Sequence, residues 1–148
     1  MASFWTNRGL FCILGSTVNL TSDTIKVMLL DDEALATKDI NFVSEISADE
    51  LTGTGYVGGF AGAGRKTLGS KTFTEDDGND WAFFDAADST WTAINAGSAQ
   101  MAAVIKEVTT DADSLVLGFV DVTDIMTNGS DITINWAATG LFKLSHAA

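Results

Sequence analysis

The sequence predicts a mainly β fold: an antiparallel β-sandwich or barrel-like domain with one or two short helices near the N-terminus. Three observations carry that expectation. From residue 66 onward, short apolar segments recur at regular spacing, with no stretch between them long enough for a packed helix. Gly, Asn, Asp and Ser punctuate those segments, and proline is absent from the chain, so every turn has to be built from these residues. Over residues 131–137 the alternation is clean, with Ile132, Ile134 and Trp136 facing inward.

Taken in order, Thr6 or Asn7 caps a short helix whose Leu10, Ile13 and Leu14 recur at i, i+3 and i+4, and which closes at Gly15. Gly9 inside it weakens the pattern. Phe4 and Trp5 precede the cap, placed either to staple the helix or to reach a partner. Residues 24–30 read as a strand. Ile25, Val27 and Leu29 share one face, and Met28 and Leu30 make the other apolar, so burial on both sides is expected. Residues 31–38 open with acids and fit a short helix or a loop equally well, whereas 42–46 look extended. Ser47-Ala-Asp-Glu50 has the spacing of a capping box, predicting one helical turn before the glycines. Strands are then expected at 66–74, 81–84, 91–96, 101–108, 115–122, 132–136 and 141–144. Turns are expected at 76–80, 85–89, 109–113, Asn128-Gly129 and Gly140. With no repeat and no linker, the reading is a single β-rich domain over residues 1–148 with an N-terminal arm at residues 1–15.

At 148 residues the chain is long enough to bury a core without disulfides or metals. Its single cysteine, Cys12, excludes an intrachain disulfide and fits a reducing compartment. Eight basic against 20 acidic residues give a net charge of −12, which argues against nucleic acid and against anionic membrane surfaces as partners. Apolar residues make up 46% and charged residues 19%, and the mean hydropathy is +0.19. No apolar run approaches the ~18 residues of a membrane span, so part of the surface is expected to be buried against neighbouring molecules. The opening residues lack the apolar core of a signal peptide.

Each motif has a plain structural reading. Gly53-Thr-Gly-Tyr-Val-Gly58 matches G-x-G-x-x-G, but a helical turn precedes it and strand-like residues follow, the reverse of a dinucleotide site; it reads as a turn or bulge. Residues 59–67 (GFAGAGRKT) nearly spell a phosphate loop, yet Arg65 stands where the lysine belongs and Lys66 comes one position late. A surface loop that offers Arg65-Lys66 as an electrostatic contact is the expectation instead. The acidic stretch 75–80 (EDDGND) lacks the spacing of a calcium loop and reads as a hairpin turn. The only histidine, His146, sits near the C-terminal end, which speaks against a Cys12–His146 or Ser–His dyad. No carboxylate pair stands out for glycoside hydrolysis. Of the four tryptophans, Trp81, Trp91 and Trp136 lie in expected strands and read as core rather than as a sugar platform. No catalytic residue, metal or cofactor is expected.

Several pieces in order resemble a group of small virion proteins of tailed bacteriophages. They are Thr6-Asn-Arg-Gly9, Glu45-Ile-Ser followed by Thr54-Gly-Tyr-Val-Gly-Gly59, Glu75-Asp-Asp-Gly-Asn-Asp80, Trp91-Thr92 and Ala102-Ala-Val-Ile105. The resemblance spans residues 6–121 and leaves the ending outside it. It implies a β-rich, non-enzymatic decoration or cement protein on the outer capsid surface, with the major capsid protein as partner and self-association as a homotrimer. The alternatives are a head–tail junction or tail component, a carbohydrate-binding module using exposed tryptophans and, last, an enzyme. Expected contact residues are Phe4, Trp5 and Arg8 at the N-terminus, and Tyr56, Phe60, Arg65 and Lys66 in and after the glycine-rich turn. Removal of residues 1–5 is expected to weaken particle binding while leaving the fold intact.

Overall fold

Residues 26–30 and 101–105 are apolar at nearly every position, so neither face of such a strand meets water without cost, and both segments lie inside the largest sheet. The structure, a computed structural model, describes residues 2–145; His146 lies outside the described residues. The strands are β1 (Ser3–Trp5), β2 (Lys26–Leu30), β3 (Lys66–Thr67), β4 (Thr72–Asp76), β5 (Trp81–Asp85), β6 (Ser89–Trp91), β7 (Ser98–Lys106), β8 (Leu115–Met126), β9 (Ile132–Ile134) and β10 (Phe142–Ser145). One α-helix, α1 (Asn7–Leu14), lies between β1 and β2. The sheets run β1-β8-β7-β2-β3, β10-β5-β4 and β6-β9, and every pairing is antiparallel. The fold is mainly β with, among the described residues, a single short N-terminal α-helix, consistent with a β-sandwich, as the sequence predicts.

The core follows from the strand period. On one face of the five-stranded sheet, Val27, Leu29, Ala102, Val104 and Val120 meet Phe84 and Phe142 of the three-stranded sheet and Trp91 and Ile134 of the two-stranded ribbon. On the other face, Met28, Leu30, Ala103, Ile105 and Phe119 are covered by Val43 and Ile46. β2 is thus buried on both sides, and each such side chain contributes about 1.5–3 kcal/mol through burial.

A bulge ties the N-terminus to this frame. Val104 pairs with Gly118 but Ile105 pairs with Val116, so Leu117 is an extra residue in β8. Thr6 uses the carbonyls the bulge sets free: its hydroxyl donates to Val116 O at 2.7 Å and its N–H to Leu117 O at 3.0 Å. The same hydroxyl accepts from Gly9 N–H at 2.8 Å and caps α1. A Cβ on Gly9 would lie 2.1 Å from the Leu117 carbonyl oxygen, so the residue that weakens the helix pattern is the one that lets the helix dock. Upstream, β1 pairs with β8, and the buried Trp5 packs on Phe142 and donates its indole N–H to Lys143 O at 3.0 Å. The expected arm is therefore an edge strand and a docked helix. Deleting residues 1–5 would remove a strand and a core tryptophan, so a loss of stability is expected where the sequence reading foresees an intact fold.

Other departures have local causes. The strand expected at 66–74 breaks into β3 and β4 at Gly69 and Ser70, where Ser70 takes φ 48°. The one expected at 91–96 stops at Trp91 because Ala93 takes φ 49°. Of residues 42–46, Phe42 is extended and bridges Leu115, but Val43–Glu45 forms a 3-10 turn, fixed by the Glu45 carboxylate accepting from Asn41 and Phe42 N–H at 2.9 and 2.7 Å. Ser47–Asp49 forms the expected turn, but Glu50 does not cap it and turns inward instead. Residues 31–38 are loop.

Candidate interaction surfaces

The glycine-rich stretch is built over two aromatic rings. Gly53 and Tyr56 exchange backbone hydrogen bonds of 3.0 and 3.1 Å, closing a tight turn with Gly55 at φ 75°. Tyr56 then passes beneath Gly64, where a Cβ would stand 2.4 Å from its ring. Its hydroxyl, fully buried, accepts from Leu29 N–H at 2.9 Å and donates to Glu50 Oε1 at 3.2 Å. The Trp91 indole N–H donates to the Gly64 carbonyl at 2.7 Å and fixes the far side of the loop. The motif is the structural turn that its flanking residues predict.

Arg65 locks that loop from inside. Its Nε and Nη2 donate to the two oxygens of Glu50 at 2.9 and 2.7 Å. Nη1 and Nη2 donate to Asp111 at 2.7 and 3.1 Å, and Nη1 also to Glu107 at 3.0 Å. These bonds match the five N–H groups of a guanidinium, with two carboxylates gripped bidentately. The carboxylates in turn hold the loop backbone, Glu50 accepting from Gly59 N–H at 2.8 Å and Glu107 from Ala61 N–H at 3.0 Å. Lys26 completes the cluster by pairing with Glu107. Burial works against the Arg65 charge, but hydrogen bonds to Glu50 and Asp111 outweigh it and raise the guanidinium above its ordinary value. Burial, with the Glu50 charge acting in the same direction, raises the Tyr56 hydroxyl. Burial also pushes the Glu107 carboxyl up, yet hydrogen bonds from Lys26 and Arg65 prevail and hold it below its ordinary value.

Three expected contacts are corrected here. Arg65 and Tyr56 do not face solvent: Arg65 is 3% exposed because three carboxylates converge on it, and Tyr56 fills the space under Gly64. Trp5 is corrected in the same way by its place in the core. Lys66 is half-buried in β3, opposite Val27. What the loop presents outward is apolar: Val57, to which the sequence reading gives no role, and Phe60 are 62% and 42% exposed. Val108, just past β7, is exposed as well.

The second surface belongs to α1. Phe4 is half-buried against Phe119, with ring centroids 5.5 Å apart. Arg8 is half-buried, and Phe11 and Leu14 are exposed on the outer side of the helix. The sequence carries their signal as a helix apolar on more than one side. Beside them a groove of about 320 Å³ is lined by Ile13, Val18, Leu20 and Phe73.

Elsewhere, the acidic turn between β4 and β5 is engaged in its own backbone. Asp76 accepts from Gly78 and Asn79 N–H and from the Asn79 amide at 3.1, 3.2 and 2.8 Å, and the Asn79 contact chiefly holds its carboxyl low. Among the described residues no group of three or more His, Cys, Asp or Glu side chains is placed to hold a metal ion, and no helix is long and apolar enough to cross a membrane. Trp5, Trp91 and Trp136 are buried. Trp81 is half-buried, with the Lys143 ammonium 3.8 Å from its ring centroid, and lines a groove of about 610 Å³ with Glu75, Asp76, Asp77 and Asp80. In comparisons with known proteins the chain matches no family model, no curated protein and no solved structure, so the functional reading rests on its own residues.

Proposed function

We propose that the chain is a structural protein of a tailed-bacteriophage particle, a decoration protein that docks on the head shell beside the major capsid protein and self-associates as a homotrimer. One observation carries the reading. A charge cluster, Arg65 with Glu50, Glu107 and Asp111, faces inward to fix a loop whose outer side is apolar at Val57 and Phe60. Rigid presentation of apolar side chains suits docking, because little conformational entropy remains to be lost on contact. The net charge of −12 repels like copies at long range, so copies come together where a lattice spaces them. A chain that binds only the assembled lattice shifts the assembly equilibrium toward it by mass action.

Immunogold labelling of purified particles of the phage that encodes the chain tests this. Gold spread over the head supports decoration. Gold confined to one vertex or to the tail replaces it with a junction role, and unlabelled particles overturn both.

A second reading, a carbohydrate-binding module, is favoured by the partial exposure of Trp81 above a groove lined by carboxylates. A change in tryptophan fluorescence on adding glycans, lost in Trp81→Phe, would establish it. An unchanged spectrum discards it.

A further inference from the structure

The two sides of α1 are apolar for different reasons. Gly9 and Cys12 are buried, and Leu10 and Ile13 pack on the core, which accounts for the inner side. Phe11 and Leu14, 67% and 75% exposed, stand three residues apart on the outer side, with Arg8 three residues before Phe11. The Arg8 guanidinium carbon lies 5.8 Å from the Phe11 ring centroid and 5.3 Å from that of Phe42. Nε is shielded from solvent and has no hydrogen-bond partner. Among the described residues no carboxylate stands within ion-pairing distance of this guanidinium. Asp39, at the start of the helix, accepts from the Asn7 amide at 3.0 Å instead. In a chain with 20 acidic residues, an arginine held between two rings without a carboxylate is a cation oriented for an acceptor that the described residues do not supply.

We propose that Arg8, Phe11 and Leu14 form the docking surface for a protein partner that presents a carboxylate set among aliphatic side chains. The outer guanidinium nitrogens take the carboxylate, and Phe11 and Leu14 cover the aliphatic neighbours. The inference rests on the particle role proposed above, the partner being a subunit of the shell. Charge decides the choice of occupant: the guanidinium has no anion beside it among the described residues, and the overall charge of −12 disfavours a phosphate-rich polymer. Arginine and large aromatic side chains are also the residues that dominate interface energies. The Val57–Phe60 patch has no comparable directional group, because Arg65 beneath it is saturated by its own carboxylates.

The test is rebinding of purified chain to particles stripped of it, comparing wild type with Arg8→Ala, Arg8→Lys and Leu14→Ser while the melting temperature of each is followed. Arg8→Ala is expected to lower apparent affinity about thirtyfold at unchanged melting temperature, as for loss of one partner of a desolvated charge pair. Arg8→Lys should recover only part of it, since a lysine keeps the charge but not the planar stack. Leu14→Ser, at a side chain that holds nothing in the fold, should cost about tenfold. High salt should weaken wild type more than Arg8→Ala. Wild-type affinity in both Arg8→Ala and Leu14→Ser overturns this surface and leaves the particle role standing. Failure of wild type to rebind overturns both. Loss of self-association in the variants with shell binding retained assigns the face to a second copy and overturns the carboxylate-bearing shell partner.

Discussion

Arg65 and Arg8 are the chain's two arginines, and they sit in opposite electrostatic settings. Arg65 is buried, with each N–H matched by a carboxylate oxygen, and its neighbours are Gly64 and the Tyr56 ring. Arg8 is half-buried, framed by two phenylalanine rings and matched by no carboxylate among the described residues. The first tethers a loop across three parts of the sequence. The second is framed by two rings and, among the described residues, pairs with no carboxylate. The same side chain therefore does two jobs, and whether the fold supplies its counter-charge decides which.

The largest effect expected from breaking this comparison comes at Arg65. Arg65→Met leaves Glu50 buried without its cation and releases the loop, and should destabilise the protein by about 3–5 kcal/mol. Chemical denaturation checks it, and a loss below about 1 kcal/mol would deny that the cluster holds the loop. Combining Arg65→Met with Glu50→Gln should recover part of the loss, because the stranded charge is then gone.

Gly64→Ala tests the loop by shape rather than by charge. The added methyl would stand 2.4 Å from the Tyr56 ring, which is locked below by Leu29 and Glu50, so the ring or the loop must move. Overpacking of this kind costs about 1–3 kcal/mol. Gly59→Ala meets no atom within 4 Å but sits at φ 85°, where the cost is conformational, about 1–2 kcal/mol. If Gly64→Ala melts like wild type, the ring under Gly64 does not constrain the loop.

The cluster should also set how stability responds to pH, at both ends of the scale. Tyr56 is the only tyrosine, and its folded value lies above the unfolded value of about 10. Its contribution is fully present below pH ~10 and is lost as pH rises from there toward the folded value, because only the unfolded chain then releases the proton. Tyrosinate absorbance should therefore appear together with unfolding; a signal near pH ~10 from folded protein would place the hydroxyl in water. Glu107 has the opposite sign. Its folded value is depressed, so its contribution is present above the unfolded value of about 4.3 and is lost as pH falls through the folded one. Asp113, held at about 2 chiefly by the Thr109 hydroxyl and next by the Thr110 N–H, acts in the same direction at the start of β8. Thr109→Val should narrow the acid range of stability, read as a shift of the acid midpoint.

The strands at the centre of the fold were legible because their side-chain period matches their burial: β2, β7 and β8 alternate between the two faces the structure covers. β1 was not, since three residues ahead of a helix cap become a strand only by pairing with β8, more than a hundred residues away. Arg65 was misread for a related reason. Beside Lys66 it looks like a surface charge pair, yet it stands in the turn just before β3, where no side-chain period tells which way it faces. Its carboxylates come from Glu50, Glu107 and Asp111, separated from it by 15 to 46 positions, and only the closed sheet brings them together. At Arg8, the spacing to Phe11 is visible in the sequence, but Phe42 arrives from a distant turn.

The smallest effect is the most telling about that second arginine. Arg8→Ala removes a guanidinium with a shielded, unpartnered Nε and, among the described residues, no ion pair, so no described buried group loses a partner. The stacking it gives up, about 0.5–1 kcal/mol at a partly exposed site, is offset by relief of the unmet donor and by the helix propensity of alanine. A change in unfolding free energy within about 0.5 kcal/mol is expected, against several for Arg65→Met. If Arg8→Ala instead unfolds the chain as readily as Arg65→Met does, both arginines are structural, and the outer face of α1 loses its claim to a partner.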